Sequence, residues 1–207
     1  MIIKQIEVGV MDNFSYLVGC EKTRRAMVID PGGDTERIVA EAEAENLKIT
    51  LIVNTHGHGD HTTGNVPLKA QTGAPVLIHH LDADRYPGAD RLLSDDDGTL
   101  QLGEIVFDII HTPGHTPGGI CLYAQGNLFT GDTLFVGDSG RTDLAGGHRP
   151  TLGASIRRLM KLPDDTVVWP GHDYGPTPSS TIGWEKRHNV NAREYGYYVA
   201  SNGEEER

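Results

Sequence analysis

Four side chains of the kinds that bind metal ions lie within six residues of one another in the segment Thr55–His61. The segment follows a short β-branched run at 50–54 that predicts a strand, so the ligand loop begins where a strand ends. Its two glycines allow the backbone to turn, and the four side chains can then converge. Imidazole and carboxylate donors together suit zinc, iron or manganese. The candidate ligands are His56, His58, Asp60 and His61.

Three further candidates occur beside predicted strands. His115 lies in Thr-Pro-Gly-His-Thr-Pro-Gly, a turn immediately before a predicted strand. Asp132 lies in Phe-Thr-Gly-Asp-Thr and His172 in Trp-Pro-Gly-His-Asp, each immediately after one. Sites are usually built from loops at one edge of a rigid sheet. The pattern therefore predicts one metal centre assembled from distant parts of the chain.

Short strands separated by glycine and proline dominate the chain, and Asp12-Asn13 predicts a hairpin between the first two strands. Strands are predicted at 2–10, 14–20, 26–30, 50–54, 75–78, 99–102, 104–111, 119–124, 127–130 and 166–169. Helices are predicted at 35–46, 63–72, 152–162 and from 180 to about 195. Residues 82–98 are expected to be mostly loop, and 203–207 frayed. Two sheets packed together with helices outside would accommodate this order.

The acidic balance of the chain limits the classes of function. The 207 residues contain 18 Lys and Arg against 29 Asp and Glu, a formal net charge of −11. This charge argues against a nucleic-acid partner, and the lack of polybasic or long apolar runs argues against a membrane partner. Two cysteines, Cys20 and Cys121, are too few for a secreted disulfide scaffold. Because the N-terminal segment also lacks a signal-peptide pattern, we expect a cytoplasmic protein with a single domain over 1–207.

The motifs resemble those of the metallo-β-lactamase superfamily, and specifically its glyoxalase II (hydroxyacylglutathione hydrolase) branch. Four segments match that pattern in the family's order: Thr55–His61, Thr112–Gly118, Gly131–Asp132 and Pro170–His172. The resemblance implies an α/β fold, a four-layer αββα sandwich of two mixed β-sheets flanked by helices. It also implies two divalent metal ions at one edge of the sandwich, for which we expect zinc.

The resemblance gives each candidate ligand a role. One metal ion would be bound by His56, His58 and His115. The second would be bound by Asp60, His61 and His172. Asp132 would bridge both ions. No ligand position is substituted, so the sequence permits a dinuclear site.

The expected chemistry is hydrolysis by a metal-bound hydroxide. Two cations about 3.5–4 Å apart can share a water molecule and lower its pKa until hydroxide exists near neutral pH. The hydroxide attacks a carbonyl carbon, one ion stabilises the oxyanion, and the other accepts the leaving group. Asp60 is the expected catalytic residue, because it can also orient the hydroxide. The expected substrate is a small-molecule thioester such as S-(hydroxyacyl)glutathione.

Two residues outside the ligand set are candidates for binding the substrate. Arg141, in Ser-Gly-Arg-Thr-Asp, can bind a carboxylate through two hydrogen bonds, or it is buried and paired with Asp143. Tyr174 lines the cleft or is an ordinary packed aromatic residue. Asp30 resembles the strand-end aspartate of the family and is expected to brace the metal loops. Cys121 is expected in the core, since free cysteine is commonly buried.

Three other histidines stand apart from the predicted centre. His111 precedes the His115 turn by four residues and is expected to support that loop rather than bind metal. His79 and His80 end a predicted strand, and surface or structural roles are expected for them.

An oxidoreductase remains an alternative to the hydrolase. About 35 residues follow His172, so the helical domain that holds much of the glutathione in full-length glyoxalase II is expected to be absent. The segments 140–143 and 170–175 also fit the persulfide dioxygenase branch of the same fold. That enzyme would use one Fe(II) bound by His56, His115 and Asp132. True β-lactamase activity is less expected, because the sequence shows no periplasmic signal and its motifs are closer to those of thioesterases. A non-catalytic metal module is also less expected, because structural zinc sites are closed.

Overall fold

Two six-stranded mixed β-sheets form the centre of the fold in the computed structural model. The structure describes residues 1–200, so the predicted fraying at 203–207 lies outside the described residues. The strands of sheet one, in spatial order, are β1 (Ile2–Val8), β2 (Asn13–Gly19), β3 (Arg25–Ile29), β4 (Lys48–Val53), β5 (Val76–His79) and β6 (Arg91–Leu93). Strands β1 to β3 pair antiparallel, which includes the predicted hairpin, and β3 to β6 pair in parallel.

Sheet two is built by the second half of the chain. Its strands, in chain order and in spatial order, are β7 (Thr99–Leu102), β8 (Ile105–His111), β9 (Ile120–Ala124), β10 (Asn127–Gly131), β11 (Val167–Pro170) and β12 (Ser180–Thr181). β10 and β11 pair in parallel, and the other neighbours pair antiparallel. Both sheets are therefore mixed.

The described residues 1–200 contain six α-helices, and all but the second, a single turn in the loop after β4, cover the outer faces of the two sheets. They are α1 (Thr35–Ala44), α2 (Gly59–Thr62), α3 (Asn65–Thr72), α4 (Arg149–Leu159), α5 (Ile182–His188) and α6 (Ala192–Tyr195). Helices α1 and α3 pack on sheet one, and α4, α5 and α6 pack on sheet two. Within residues 1–200, the structure contains no helix with the length and apolar character needed to cross a membrane.

Side-chain alternation along the strands explains the layers. In β2, Phe14 and Tyr16 point between the two sheets, whereas Leu17 packs on the side of α1 and α3. Phe107 and Phe129 of sheet two complete the core between the sheets. A register shift of one residue would turn these apolar side chains to the wrong faces, so their burial fixes the strand pairing. The predicted αββα sandwich of two mixed sheets is confirmed.

Several elements differ from the sequence-based expectation; β12, for example, lies where the pattern predicts the start of a helix. The strand β6 lies in the segment 82–98, predicted as mostly loop; of its three residues only Leu93 is buried, so the strand signal is weak. Helix α4 begins at Arg149 rather than at 152, because Pro150 is tolerated in the first turn of a helix. The predicted C-terminal helix is two helices, because Asn189 is extended and donates its side-chain amide to Glu185.

Candidate metal centre

Four loops at one edge of the sandwich carry the seven predicted ligands. In sheet two, β8, β10 and β11 run in the same direction and therefore end at the same edge. Both β8 and β10 pair antiparallel with β9, and β11 pairs in parallel with β10. The loop after β4 of sheet one meets them there. The structure brings all seven side chains into one cluster: His56, His58, Asp60, His61, His115, Asp132 and His172.

The first group in this cluster consists of three histidines. Nδ1 of His58 lies 2.9 Å from Nε2 of His115, and the ring centroids of His56 and His115 are 4.9 Å apart. Nε2 of His56 is buried and has no hydrogen-bond partner among the described residues. Buried polar atoms are normally satisfied, so the unpartnered Nε2 of His56 beside these two rings indicates a place for a cation.

In His56 and His115, Nδ1 makes a hydrogen bond outside the cluster. This bond fixes the ring so that Nε2 faces the centre of the cluster. Nδ1 of His56 is 3.1 Å from the hydroxyl of Thr55, which itself donates to Asp30 and therefore accepts from the ring. Nδ1 of His115 donates to the carbonyl oxygen of Arg141 at 2.7 Å. Both rings keep Nε2 free of a proton, the arrangement that metal-ligating histidines adopt.

The second group contains Asp60, His61 and His172. The Nε2 atoms of the two histidines are 3.2 Å apart, and each lies 3.4 Å from Oδ2 of Asp60. Nδ1 of His61 donates to Asp30 Oδ2 at 3.1 Å, and Nδ1 of His172 donates to the carbonyl oxygen of Met11 at 2.8 Å. These bonds again turn Nε2 of both rings toward the centre.

Asp132 joins the two groups. Its Oδ1 lies 3.3 Å from Nε2 of His61, and its Oδ2 lies 3.4 Å from Nε2 of His115 and of His172. Oδ1 is buried and makes no hydrogen bond to any residue in 1–200. A carboxylate that contacts histidines of both groups stands where a bridging ligand is needed.

The donor atoms are spaced as a divalent cation requires. With Zn–N bonds of about 2.0–2.1 Å, neighbouring donors of a tetrahedral site are about 3.3 Å apart. In the first group, the donors of His58 and His115 are 2.9 Å apart and all three donors lie within 4.8 Å of one another; in the second group, the donors are 3.2–3.4 Å apart. Nitrogen donors with carboxylate oxygens also suit divalent transition metals. Each group therefore fits one such ion.

Protonation differs between the two groups, and in the first group the rings of His56 and His58 are neutral. Burial, and then the charges of neighbouring histidines, hold the pKa of His56 well below its ordinary value. Burial and His115 also lower the pKa of His58. Both rings are therefore neutral near pH 7 in the metal-free protein, and their lone pairs are available to a cation.

The second group is charged in the metal-free protein. Burial opposes the positive charge on His172, but its hydrogen bonds to Asp132 and Asp60 outweigh burial and raise its pKa to about 9. Burial likewise opposes charge on His61, yet the charges of Asp132 and Asp30 raise its pKa well above the ordinary value. The pKa values of the Asp60 and Asp132 carboxyls lie far below normal, because these histidines outweigh burial.

Asp30, at the end of β3, holds the loop that carries the first ligands. Its carboxylate accepts hydrogen bonds from the backbone N–H of Thr55 at 2.7 Å and from the Thr55 hydroxyl at 2.6 Å. It also accepts the Nδ1 proton of His61. This geometry agrees with the bracing role expected for Asp30.

A second buried aspartate, Asp82, was missed by the sequence analysis. It accepts hydrogen bonds from the backbone N–H of Gly57 at 2.9 Å, the hydroxyl of Thr116 at 2.7 Å and the backbone N–H of Gly118 at 2.9 Å. It therefore ties the loop of His56 and His58 to the loop of His115. Asp82 lies in a segment that contains several other aspartates, and only its burial distinguishes it from them.

Two glycines let the ligand loops approach one another. Gly131 has φ of +47°, and a Cβ there would lie 2.2 Å from Oγ1 of Thr55. A Cβ at Gly171 would lie 2.4 Å from Oδ1 of Asp132. No larger residue fits either position without moving the loops, which explains the glycine before Asp132 and before His172.

A pocket of about 470 Å³ opens over the cluster, and both predicted substrate residues line it. Arg141 is not buried: its side chain is 63% exposed and makes two hydrogen bonds to Asp143, at 2.6 and 2.7 Å. The ring of Tyr174 stacks on His172 with centroids 4.5 Å apart, and the residue is 52% exposed. The structure thus places both at the mouth of the metal cluster, with Arg141 already paired.

Two other expectations concern residues next to the cluster. Nε2 of His111 donates to the carbonyl oxygen of Pro117 at 2.9 Å, which supports the His115 loop as expected. Cys121 is fully buried, as expected, and burial raises the pKa of its thiol to about 11, so it is not a nucleophile.

Comparison with known proteins adds to the geometry. A family model described as the metallo-beta-lactamase superfamily matches residues 8–172. A hydroxyacylglutathione hydrolase of Polaromonas sp. is 40% identical over 179 residues, which are 84% of this chain and 67% of that protein. The chain thus spans about two thirds of that hydrolase's length. The hydroxyacylglutathione hydrolase GloC of Haemophilus influenzae is 37% identical over 187 residues, covering 80% of this chain and 86% of that protein.

Solved structures agree with this relationship. The crystal structure of ETHE1 from Myxococcus xanthus superposes with a TM-score of 0.87 and 34% identity. The superposition covers 96% of this chain and 88% of that chain.

Proposed function

The chain belongs to the metallo-β-lactamase superfamily, and on this premise we propose that it is a metal-dependent hydrolase of thioesters such as S-(hydroxyacyl)glutathione. One observation carries the proposal: seven ligand-type side chains in two groups lie at the base of an open pocket. The names of the similar hydrolases support the thioester as the bond that is cleaved.

The proposed cofactors are two divalent ions, with zinc as the expected metal. His56, His58 and His115 would hold one ion. Asp60, His61 and His172 would hold the other, and Asp132 would contact both. When bound, the ions would supply electrophilic stabilisation and lower the pKa of a shared water near neutral pH.

Asp60 is the proposed catalytic residue among the protein groups. Its Oδ2 is fixed by the side-chain amide of Asn13 at 2.9 Å and faces the pocket. Its low pKa keeps it ionised, so it can accept a hydrogen bond from the attacking water and orient it toward the substrate carbonyl. Asn13 positions this carboxylate from β2, whose sheet also carries Asp30.

Arg141 and Tyr174 are the proposed substrate-binding residues. The guanidinium can bind a substrate carboxylate with two hydrogen bonds if it exchanges its contact with Asp143 for the substrate. Both partners are exposed, so that contact is weak and the exchange is inexpensive. The ring of Tyr174 offers an apolar wall beside His172 for the acyl or thiol portion of the substrate.

The alternative is a mononuclear Fe(II) persulfide dioxygenase that uses His56, His115 and Asp132. The dioxygenase branch keeps most of the other ligand residues as well, so the set of donors does not separate the two functions. The similar hydroxyacylglutathione hydrolases favour the hydrolase.

Metal analysis paired with two assays tests the choice. The protein is purified without added metal, and turnover is measured with S-lactoylglutathione and, separately, oxygen uptake with glutathione persulfide. We expect about two zinc ions per chain and thioester turnover. About one iron per chain with persulfide-dependent oxygen uptake would establish the alternative instead.

We further propose that this single domain carries the whole catalytic apparatus and acts in the cytoplasm. All seven proposed ligands and the pocket lie within it. The two cysteines, Cys20 and Cys121, are buried and unpaired, which is usual in a reducing compartment.

A further inference from the structure

A second cluster of ligand-type side chains lies where the two sheets meet, outside the proposed centre. His79 is the last residue of β5 in sheet one, and His111 is the last residue of β8 in sheet two. Asp95 begins a short 3-10 turn at 95–97, in the connection that carries the chain from one sheet to the other. One donor atom from each of the three lies within 4.8 Å of the others.

His111 has the hydrogen-bond arrangement of a metal ligand. Its Nε2 donates to the carbonyl oxygen of Pro117 at 2.9 Å. This bond places one ring proton on Nε2 and leaves Nδ1 facing Oδ1 of Asp95, 2.8 Å away. Metal-binding histidines usually donate their second nitrogen to a carbonyl or carboxylate in this way.

His79 supplies an independent indication. The residue is fully buried, yet its Nε2 has no hydrogen-bond partner among residues 1–200. This nitrogen points to Asp95, whose Oδ1 lies 3.6 Å away, beyond hydrogen-bond distance. A buried nitrogen without a partner, aimed at a carboxylate and a second imidazole, is the arrangement that an ion between them would satisfy.

The space beside these atoms is open. A pocket of about 280 Å³ is lined by the three residues together with Ser94 and Arg158. A cation can therefore enter from solvent, and water can complete its coordination. The two histidine donors are held rigidly, since each histidine ends a strand. The third donor is less constrained, because the side chain of Asp95 is 65% exposed.

Three contacts oppose a cation. Nδ1 of His111 is within hydrogen-bond distance of Oδ1 of Asp95, 2.8 Å away, and an ion between them would replace this contact. The backbone N–H of Leu81 donates to Nδ1 of His79 at 3.4 Å, and a metal at Nε2 would require the ring proton to move to Nδ1. At 3.4 Å this bond is long and weak, so little is lost. The guanidinium of Arg158 also lines the pocket, but it donates to the carbonyl oxygen of His111. These contacts lower the affinity, and the exposed aspartate lowers it further.

We propose that His79, Asp95 and His111 form a further binding site for a divalent transition-metal ion, weaker than the proposed catalytic centre. Two imidazoles and one carboxylate are donors suited to Zn(II), Co(II), Ni(II) or Cu(II). The ion would fasten β5 of sheet one to β8 of sheet two. Through the His111–Pro117 hydrogen bond, it would also steady the loop that carries His115.

Metal counting in matched variants tests the site. Metal-free wild-type protein, Asp95→Asn and Asp96→Asn are dialysed against the same series of buffered free-zinc concentrations, and bound zinc is counted. Asp96 is the control, because it is exposed in the same turn and does not belong to the cluster. At high free zinc, we expect Asp95→Asn to hold about one ion per chain fewer than wild type, and Asp96→Asn to equal wild type.

The comparison of Asp95→Asn with Asp96→Asn does not depend on how many ions the catalytic centre holds, so it separates this site from the proposed function. His111→Asn is the second variant, with circular dichroism to verify folding, and should lose the same ion. Zinc should also raise the Tm of wild type more than that of Asp95→Asn. Equal zinc counts in wild type, Asp95→Asn and folded His111→Asn would overturn the proposal.

Discussion

The two ligand groups of the proposed centre differ in charge and in the way the protein holds them. In the first, the pKa values of His56 and His58 are lowered, and Asp82 fixes the two loops through backbone groups and a hydroxyl. In the second, carboxylates raise the pKa of His172, and Asp30 bonds directly to a ligand ring.

The difference indicates that, in the metal-free protein, extra protons occupy the second group but not His56 and His58 of the first. A cation meets available lone pairs in the first group and must displace protons in the second. The two supporting aspartates also act differently. Loss of Asp82 would leave the hydrogen bonds of the ligand rings intact but would let the two loops of the first group move. Loss of Asp30 would remove a bond that orients a ligand.

Asp132→Ala is expected to have the largest effect, because Asp132 is the residue that contacts histidines of both groups. Both metal ions should be bound more weakly, and thioester turnover should fall by more than about 1000-fold. Metal analysis and initial rates measure the result. Asp108→Ala, at an exposed position on β8, is the control and should behave as wild type. A folded Asp132→Ala with full metal content and activity would contradict the ligand assignment.

Asp30→Asn should weaken metal binding in the second group by about 100-fold, since it removes the carboxylate that orients His61. The first group should change less, although the loop contact to Thr55 is also altered. Stepwise zinc titration against a chelator separates the two affinities. Glu36→Gln, exposed on α1, is the control. Equal weakening of both steps would show that Asp30 acts on the whole centre.

Asp82→Asn should show the opposite selectivity. It loosens the link between the Gly57 loop and the Thr116–Gly118 loop, so the first zinc affinity should fall by about 30-fold. The same chelator titration measures it. Asp84→Asn is the matched control, because Asp84 is exposed two residues away. An unchanged first affinity in Asp82→Asn would mean that the two loops hold their positions without this carboxylate.

The pH dependence of zinc binding should differ between the groups. The folded pKa of His172 is raised to about 9 from 6.5, so the ring is protonated at pH 7 and loses its proton as pH rises. Zinc affinity of the second group should therefore increase by at least about tenfold per pH unit between pH 7 and pH 9, because the proton on His172 and the proton on His61 must both leave. Affinity of the first group should be nearly constant in this range, since the pKa values of His56 and His58 are lowered. Parallel slopes from titrations at several pH values would refute the difference in protonation.

Arg141→Ala should have the smallest effect and should leave both groups intact. The bond that orients His115 comes from the backbone carbonyl of Arg141, so metal content and kcat should be unchanged. KM should rise about fivefold, because an exposed charge-assisted contact to substrate is lost. Asp143→Asn frees the guanidinium and should lower KM. Unchanged KM in both variants would remove Arg141 from the substrate site.

The sequence predicted that the seven ligand-type side chains meet at one sheet edge, because residue types that bind metal ions stand beside strand ends. The alternation in β2 and the glycines before Asp132 and His172 likewise carry local signals. Asp82 and β6 carry none: one is an aspartate among many, and the other is a strand with a single buried residue. Their positions depend on contacts between distant segments, which local patterns do not encode.

The ligands of each group come from distant parts of the chain, and this has a consequence for folding. His58 and His115 are 57 residues apart, and His61 and His172 are 111 residues apart. Contacts of such long range form late, after the loops between them have closed. The three hydrophobic clusters that drive this closure contain none of the seven ligands. We therefore expect the chain to fold at the same rate with or without zinc, and the metal to arrive at a centre already assembled.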